Sequence, residues 1–305
     1  MPNNHHWTIG DMPDQGGRVA IVTGANSGIG YPTAKALAQK GGTVIMACRN
    51  LQKANAAAER IRSGLKQTAG SGEVVVMQLD LADLDSVSAF VTAFKAHYDR
   101  LDLLINNAGI MHPPYGETKQ GFESQFGVNH LGHYALTGQL LDLIMRTGGA
   151  RIVTVSSMAH RFGRINFDDL NARDNYRANA AYGQSKLANL LFTYELQRRL
   201  EAADSDAIAV AAHPGWTATN LQQNSSFIQF LNRFFAQEPE MGALPTLYAA
   251  TAPEIRGGDY CGPSHFVETV GPPKKVNSNN RSHDPAVAAR LWTVSEELTG
   301  VQVPI

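Results

Sequence analysis

Short apolar runs alternate with longer segments of helical composition along the first two thirds of the chain. The runs are nearly continuous in apolar residues, which is typical of strands buried on both faces of a sheet. They lie at residues 18–22, 43–48, 73–78, 101–105, 150–155 and 208–212. Helical composition fills the intervals at 29–39, 51–66, 86–98, 121–146 and 182–203. This alternation predicts repeated β-α-β units, and hence a parallel sheet with helices on both faces.

The last third of the chain predicts the completion of the same sheet. A seventh strand is expected near residues 258–261 and a closing helix at 285–298. We therefore predict a single α/β domain over residues 17–305, built on a doubly wound parallel sheet of about seven strands. A polar leader at residues 1–16 precedes it.

Two segments interrupt the alternation, a polar one at about 158–181 and an aromatic one at about 220–240. Each follows a predicted strand, and loops at the carboxyl ends of parallel strands are where ligands bind in such sheets. We interpret both as substrate-loop insertions. For the aromatic segment, a lid over an apolar substrate, a subunit contact and a contact with a membrane surface remain open.

Composition narrows the class of protein. The 305 residues are 43% hydrophobic and carry a formal net charge of −1, which argues against disorder and against a basic surface for nucleic acid. Two cysteines exclude a disulfide framework and a zinc site made mainly of thiolates, and they fit a reducing compartment. The chain shows no signal-peptide pattern and no apolar run long enough for a transmembrane anchor, so we expect a cytoplasmic protein.

A glycine-rich turn follows the first predicted strand and opens the first predicted helix. Its glycines permit a tight turn and a close backbone approach, while the helix N-terminus offers free N–H groups to a pyrophosphate. The candidate phosphate-binding residues are Gly24, Asn26, Ser27, Gly28, Ile29 and Gly30. The spacing GxxxGxG differs from GxGxxG, and a packing turn without a ligand is the alternative.

The end of the second predicted strand bears on the choice of dinucleotide. Proteins that bind NAD usually have a carboxylate at this position, which hydrogen-bonds the hydroxyl groups of the ribose. This chain has Cys48, followed by Arg49 and Asn50, and an arginine can pair with a 2′-phosphate. NADP(H) is therefore favoured over NAD(H), unless Arg49 is simply a solvated loop cation. Further cofactor contacts are expected at the ends of later strands, from Asp80, Leu81, Asn107, Ala108, Gly109, Pro214, Gly215 and Thr217.

A pair of side chains suited to proton transfer begins the fifth helical segment. Tyr182 and Lys186 are four residues apart and share one face of a helix, so the ammonium is expected to lower the phenol pKa. Ser156 and Ser157 end the fifth strand, where a hydroxyl can bond a substrate carbonyl oxygen. Asn129 is a polar residue on an otherwise core-facing helical region and could hold a water that links Lys186 to solvent.

Taken together, TGANSGIG, NNAG, Asn129, the serine pair, YGQSK and the PG-containing turn resemble the short-chain dehydrogenase/reductase family over residues 18–261. The resemblance implies a Rossmann-like fold, with Tyr182 as general acid/base and Lys186 as the residue that binds the nicotinamide ribose. It implies that Asn129 completes a proton relay, and alignment of the strand end favours Ser157 over Ser156 as the substrate-binding serine. The segments ACRN, NHLGHY and VSSMAH are most similar to the retinol dehydrogenase and WW-domain oxidoreductase branch.

The leading hypothesis is an NADP(H)-dependent oxidoreductase that acts on small carbonyl or alcohol substrates of lipophilic character, and the family resemblance makes a homo-oligomer possible. The alternative is a non-catalytic dinucleotide-binding sensor or adaptor on the same fold. A serine hydrolase is excluded because no GxSxG pattern surrounds the serine pair. His130 and His133 lie three residues apart, but without a nearby acidic or cysteine partner a metal site is not expected.

Overall fold

A computed structural model describes residues 6–66, 70–216, 238–303 and 305. Within these ranges the chain forms one sheet whose strands lie in the order β3-β2-β1-β4-β5-β6-β7-β8. β1 to β7 pair in parallel, and β8 is antiparallel to β7. The strands are β1 (Val19–Thr23), β2 (Thr43–Cys48), β3 (Glu73–Gln78), β4 (Leu103–Asn106), β5 (Arg151–Val155), β6 (Ile208–Ala212), β7 (Tyr260–His265) and β8 (Val270–Lys275).

The principal helices are α1 (Gly30–Gln39), α2 (Leu51–Leu65), α3 (Leu84–Lys95), α4 (Gly132–Arg146), α5 (Ala178–Ala202), α6 (Pro239–Thr251) and α7 (Pro285–Thr299). A short helix, Ser124–Phe126, and a π-helical turn, Gly127–Leu131, lead into α4. Side chains cap the N-termini of two of these helices. Asn50 accepts from the Lys53 N–H at the start of α2, and Asp284 accepts from the first N–H groups of α7. No helix in the described ranges combines the length and apolar character needed to cross a bilayer.

The core consists of two apolar layers, one on each face of the sheet. Along β1, Ala20 and Val22 face the layer formed with α1, α2 and α6, while Ile21 faces the layer formed with α3, α4, α5 and α7. Because both faces are covered, β1 is buried along its whole length. This double burial explains why the strands read as continuous apolar runs.

The closing helix α7 seals the second layer. Its Trp292 is 2% exposed and stacks on Phe192 of α5 with ring centroids 5.8 Å apart. Tyr134 of α4 meets the same indole edge to face at 5.3 Å. The observed helix ends at Thr299, one residue beyond the predicted end.

The chain departs from the sequence predictions at a few elements. The sequence does not predict β8, because Val270–Lys275 contains two prolines and two lysines. Such a strand is tolerated at the edge of a sheet, where the backbone groups on one side need no partner from a neighbouring strand. β7 begins at Tyr260, within the predicted range. α5 begins at Ala178, four residues before its predicted start at Tyr182.

The segment before the first strand packs onto the body of the domain. From residue 6 onward, Trp7 lies edge to face on Tyr248 of α6 at 5.4 Å, and Met12 is buried in the first core layer. Most of the aromatic segment at 220–240 lies outside the described residues.

Candidate active site

The site lies where the sheet reverses its order of strands. β1 pairs with β2 on one side and with β4 on the other, so the loops after β1 and β4 diverge to opposite faces. Such a switch point leaves a crevice outside the carboxyl ends of the strands, which is where nucleotides bind in open α/β sheets.

The glycine turn is built for close approach of the backbone. Gly24 and Gly28 have φ values of 66° and 55°, in the left-handed region that favours glycine. A Cβ on Gly30 would lie 2.6 Å from the Asn107 amide nitrogen and from the Gly24 carbonyl oxygen, so α1 packs directly on the turn and on the end of β4. In the described structure no side chain caps the start of α1. The Tyr31 and Thr33 N–H groups donate to the Ser27 and Ile29 carbonyls, and Pro32 has no N–H. An anion such as a pyrophosphate would therefore be bound by the N–H groups of the turn that leads into α1.

One hydroxyl joins this turn to the end of β4. Thr23 Oγ1 accepts from the backbone N–H groups of Asn107 and Ala108, both at 2.9 Å. With both lone pairs occupied, it donates to His133 Nε2 at 2.9 Å, and His133 Nδ1 in turn donates to the Asn129 carbonyl oxygen at 3.0 Å. The hydroxyl thereby fixes β1, β4 and the start of α4 relative to one another.

The predicted cofactor residues after β2 lie beside the glycine turn. The Cys48 thiol accepts hydrogen bonds from the backbone N–H groups of Ala25 and Asn26, and burial raises its pKa to about 11. Arg49 is exposed, and Asn50 caps α2. A neutral thiol thus occupies the position where an acid would bind a ribose diol.

The remaining predicted cofactor residues line neighbouring strand ends. Asp80 Oδ1 accepts from the Ala82 N–H at 3.0 Å, which shapes the turn after β3, and Leu81 is buried. Asn107 Nδ2 donates to the Thr23 carbonyl at 2.7 Å, while its buried Oδ1 has no partner among the described residues.

The turn after β6 supports another part of the predicted cofactor site. Gly215 has a φ of 68°, and a Cβ there would lie 2.3 Å from the Thr269 carbonyl oxygen, so this turn rests on the β7–β8 hairpin. Pro214 precedes it in the chain, and Thr217 lies outside the described residues.

The predicted proton-transfer residues converge beside the crevice. Lys186 Nζ lies 5.7 Å from the centroid of the Tyr182 ring and donates to the Val155 carbonyl at the end of β5 at 3.1 Å. A Cβ on Gly109 would lie 3.5 Å from Lys186 Nζ and 3.1 Å from Asn129 Oδ1. Gly109 therefore connects the predicted sugar-binding segment to the lysine and the asparagine.

Asn129 lies in the π-helical turn before α4, a distortion that often marks functional sites. Its Nδ2 donates to the Ile110 carbonyl at 3.0 Å and to Ser185 Oγ at 2.9 Å, and its Oδ1 accepts from the Ile110 N–H at 2.8 Å. Ser185 Oγ donates to the Tyr182 carbonyl at 2.8 Å. The amide thus ties the loop after β4 to the first turns of α5.

The two serines have different surroundings. Ser156 is buried and donates to the Lys186 carbonyl at 2.8 Å, so its hydroxyl is used in packing. Ser157 caps the turn that follows β5, and its side chain lies near enough to the Tyr182 phenol to favour the phenolate. Ser157 is therefore the serine that lies against the tyrosine.

The electrostatics differ from the sequence expectation. Burial raises the pKa of Tyr182 to about 12, and the nearby Ser157 side chain only partly opposes this effect. Burial also lowers the pKa of Lys186 to about 8. The expectation that Lys186 lowers the pKa of this phenol is wrong for the protein alone, because removing the phenolate from water is the dominant effect.

Three histidines of this region were not assigned to the site from the sequence. His112, three residues after Gly109, lies edge to face against Tyr182 with ring centroids 5.4 Å apart. His133 forms the bridge from Thr23 to Asn129, and His130 Nε2 bonds Ser295 Oγ at 2.9 Å. Their only sequence signal is proximity to NNAG and to Asn129. In the described part of the chain, no three potential metal ligands cluster.

Comparison with known proteins agrees with this arrangement. A family model described as short chain dehydrogenase matches residues 18–227. Human retinol dehydrogenase 14 is 41% identical over 96% of this chain and 89% of its own length. Human retinol dehydrogenase 11 is 42% identical, with 94% and 87% covered.

Solved structures share this fold. An uncharacterized protein from Mycobacterium paratuberculosis superimposes with a TM-score of 0.82 at 45% identity, covering 99% of this chain and all of that one. A Beutenbergia cavernae structure with bound NADP at low occupancy has a TM-score of 0.64 at 25% identity, covering 81% and 95%. The chain belongs to the short-chain dehydrogenase family and is an oxidoreductase that acts on alcohol or carbonyl groups.

Proposed function

We propose that this protein is an NADP(H)-dependent enzyme that interconverts lipophilic carbonyl compounds and alcohols, with Tyr182 as the general acid/base. The observation that carries the proposal is the convergence of Tyr182, Ser157, Lys186 and Asn129 on the edge of the glycine crevice. The lipophilic class is supported by the relatives, which are named retinol dehydrogenases.

The residues around the crevice suit a dinucleotide because they permit close backbone approach and offer a polar group for it to bond. The left-handed glycines, the turn that leads into α1 and the orphaned Asn107 Oδ1 are the features that a bound nucleotide would use. Arg49 would bind the 2′-phosphate, since the neighbouring position holds Cys48 and not an acid. When bound, NADP(H) supplies the hydride donor or acceptor. The segments at Asp80–Leu81, Asn107–Gly109 and Pro214–Thr217 would hold the rest of it.

The side chains divide the proton chemistry among them. The Ser157 hydroxyl orients the substrate oxygen, and Tyr182, a neutral phenol in the protein as described, donates its proton to that oxygen during reduction. Lys186 uses one of its three N–H donors on Val155, so two remain for a ribose hydroxyl and a water. Asn129 keeps the loop after β4 and the start of α5 in register.

Replacement of Tyr182 by Phe is the direct test. Because positioned acid–base groups contribute about 10²- to 10⁴-fold, Tyr182→Phe should reduce kcat by at least about 100-fold while the NADPH Kd stays unchanged. Tyr98→Phe, at a half-buried tyrosine that follows α3, is the matched control. Near wild-type turnover in Tyr182→Phe would refute the mechanism. Tight NADPH binding without turnover of any carbonyl by the wild type would indicate a sensor instead.

Cofactor choice has a separate test. Arg49→Asp should lower the ratio of NADH Kd to NADPH Kd by about tenfold or more, because it replaces a cation with a repelling carboxylate. Lys53→Asp, also exposed and on the adjoining α2, controls for a general change in surface charge. An unchanged ratio in Arg49→Asp would remove the argument for the phosphorylated cofactor.

A further inference from the structure

His112 is placed to contact whatever binds beside Tyr182. The two rings meet edge to face with centroids 5.4 Å apart at an interplanar angle of 79°. His112 follows the NNAG segment at the carboxyl end of β4, on the same edge of the sheet as Ser157 at the end of β5. A substrate whose reacting oxygen lies between Ser157 and Tyr182 therefore has its neighbouring atoms close to this imidazole.

The position of the imidazole is strongly constrained by the backbone. His112 has a φ of 54°, in the left-handed region that non-glycine residues enter at a cost. The backbone N–H of His112 donates to Gln125 Oε1 at 2.9 Å. Gln125 Nε2 in turn donates to Tyr176 Oη and to the Ala178 carbonyl. Tyr176 Oη donates to the Pro113 carbonyl at 2.8 Å. The unusual backbone conformation is thus held by contacts from both sides of the loop.

One ring nitrogen of His112 lacks a partner. Its Nε2 is shielded from solvent and has no hydrogen bond to any described residue. In His160, by contrast, both ring nitrogens are engaged, with the Ser157 carbonyl and with the Asn279 N–H. A buried polar atom left unpaired costs free energy, and a ligand that supplies the missing bond recovers it.

We propose that His112 determines substrate specificity by hydrogen-bonding a hydroxyl group on the carbon next to the reacting carbonyl. The preferred substrates are then α-hydroxy ketones, and not simple ketones of the same size. A hydroxyl suits either imidazole tautomer, because it can donate or accept. This inference rests on the proposed carbonyl reductase function and adds the substrate class to it.

A matched pair of ketones tests the proposal. 2-Hydroxyacetophenone and propiophenone have the same number of heavy atoms and differ in a hydroxyl against a methyl group. The wild type should favour the hydroxy ketone in kcat/KM, and His112→Phe should reduce this ratio by about tenfold, mainly through KM. Activity on propiophenone and the NADPH Kd should stay within about twofold. His112→Asn, which keeps a hydrogen-bonding side chain, should retain part of the preference, and the exposed His97→Phe should retain all of it.

The outcomes separate this proposal from the function on which it rests. A ratio that is unchanged in His112→Phe, or an equal fall for both ketones, overturns the role of His112 and leaves the reductase function standing. If His112→Phe does not fold, His112→Asn provides the test. A kcat/KM ratio of the two ketones that is no lower in His112→Asn than in the wild type refutes the proposal. If the wild type reduces neither ketone nor any other carbonyl, and Tyr182→Phe behaves like the wild type, the reductase function and the specificity proposal both fail.

Discussion

Replacement of Lys186 by Met should make the protein more stable while it abolishes activity. Lys186 is 4% exposed, and burial lowers its pKa from 10.5 to about 8. Since one pKa unit corresponds to about 1.4 kcal/mol, the protonated ammonium costs the folded state about 3 kcal/mol. The Val155 carbonyl, which Lys186 bonds, still accepts from Asn189 Nδ2 at 3.1 Å after the substitution. The free energy of unfolding at neutral pH should therefore rise by up to about 3 kcal/mol.

The pH dependence gives this prediction its signature. Below pH 8 the lysine is protonated in both the folded and the unfolded chain, so the penalty is present in full. Between about 8 and 10.5 the unfolded chain binds more protons than the folded one, so the contribution of Lys186 to wild-type stability increases with pH. The advantage of Lys186→Met should shrink across the same interval.

Urea unfolding of the wild type and Lys186→Met, measured from neutral pH to about 10.5, provides the assay. Lys53→Met, on the exposed face of α2, should show no comparable gain at any pH. A Lys186→Met variant that is less stable than the wild type at neutral pH would refute the reasoning. So would a gain in stability that does not change with pH.

Three further predictions test the packing and the charges around the sheet. Gly30→Ala should lower both NADPH affinity and the melting temperature, since the added methyl would lie 2.6 Å from the Asn107 amide nitrogen; Gly64→Ala, with open space around it, should instead raise stability by roughly 0.5–1 kcal/mol in urea unfolding. Trp292→Ala should cost about 3–5 kcal/mol by the same assay, and a loss under about 1 kcal/mol would contradict the packing of α7. Burial alone would raise the pKa of Asp102, but hydrogen bonds from Arg100 hold it below its usual range. The free energy of unfolding should therefore fall as acid protonates this carboxylate, and Asp102→Asn should flatten that part of the pH profile.

The sheet could be predicted from the sequence because both of its faces are buried. Strands such as β2 and β6 were predicted with their observed ends, since an unbroken apolar run between turn residues has few other interpretations. The edge strand β8 has the opposite character. Its proline and lysine content suits an edge, but nothing in that composition distinguishes it from a loop.

The proximity of the candidate site residues could be predicted from the sequence, but their energetics could not. Spacing along one helix placed Tyr182 near Lys186, because helical geometry is local. The direction in which the Tyr182 pKa shifts depends on how completely the surrounding protein excludes water. A local sequence pattern does not contain that information. His112 was missed for a related reason, since its role depends on a left-handed backbone that Gln125 and Tyr176 hold from distant parts of the chain.

The Thr23 hydroxyl has an evolutionary consequence. Besides a longer contact with the Ile105 carbonyl at 3.3 Å, it bonds three groups, and its partner His133 lies 110 residues away in the chain. A change at position 23 alone leaves the buried Nε2 of His133 without its hydrogen-bond donor. Positions 23 and 133 should therefore covary among relatives, with Thr paired to His, so that a substitution beside the glycine turn is accompanied by one at the start of α4.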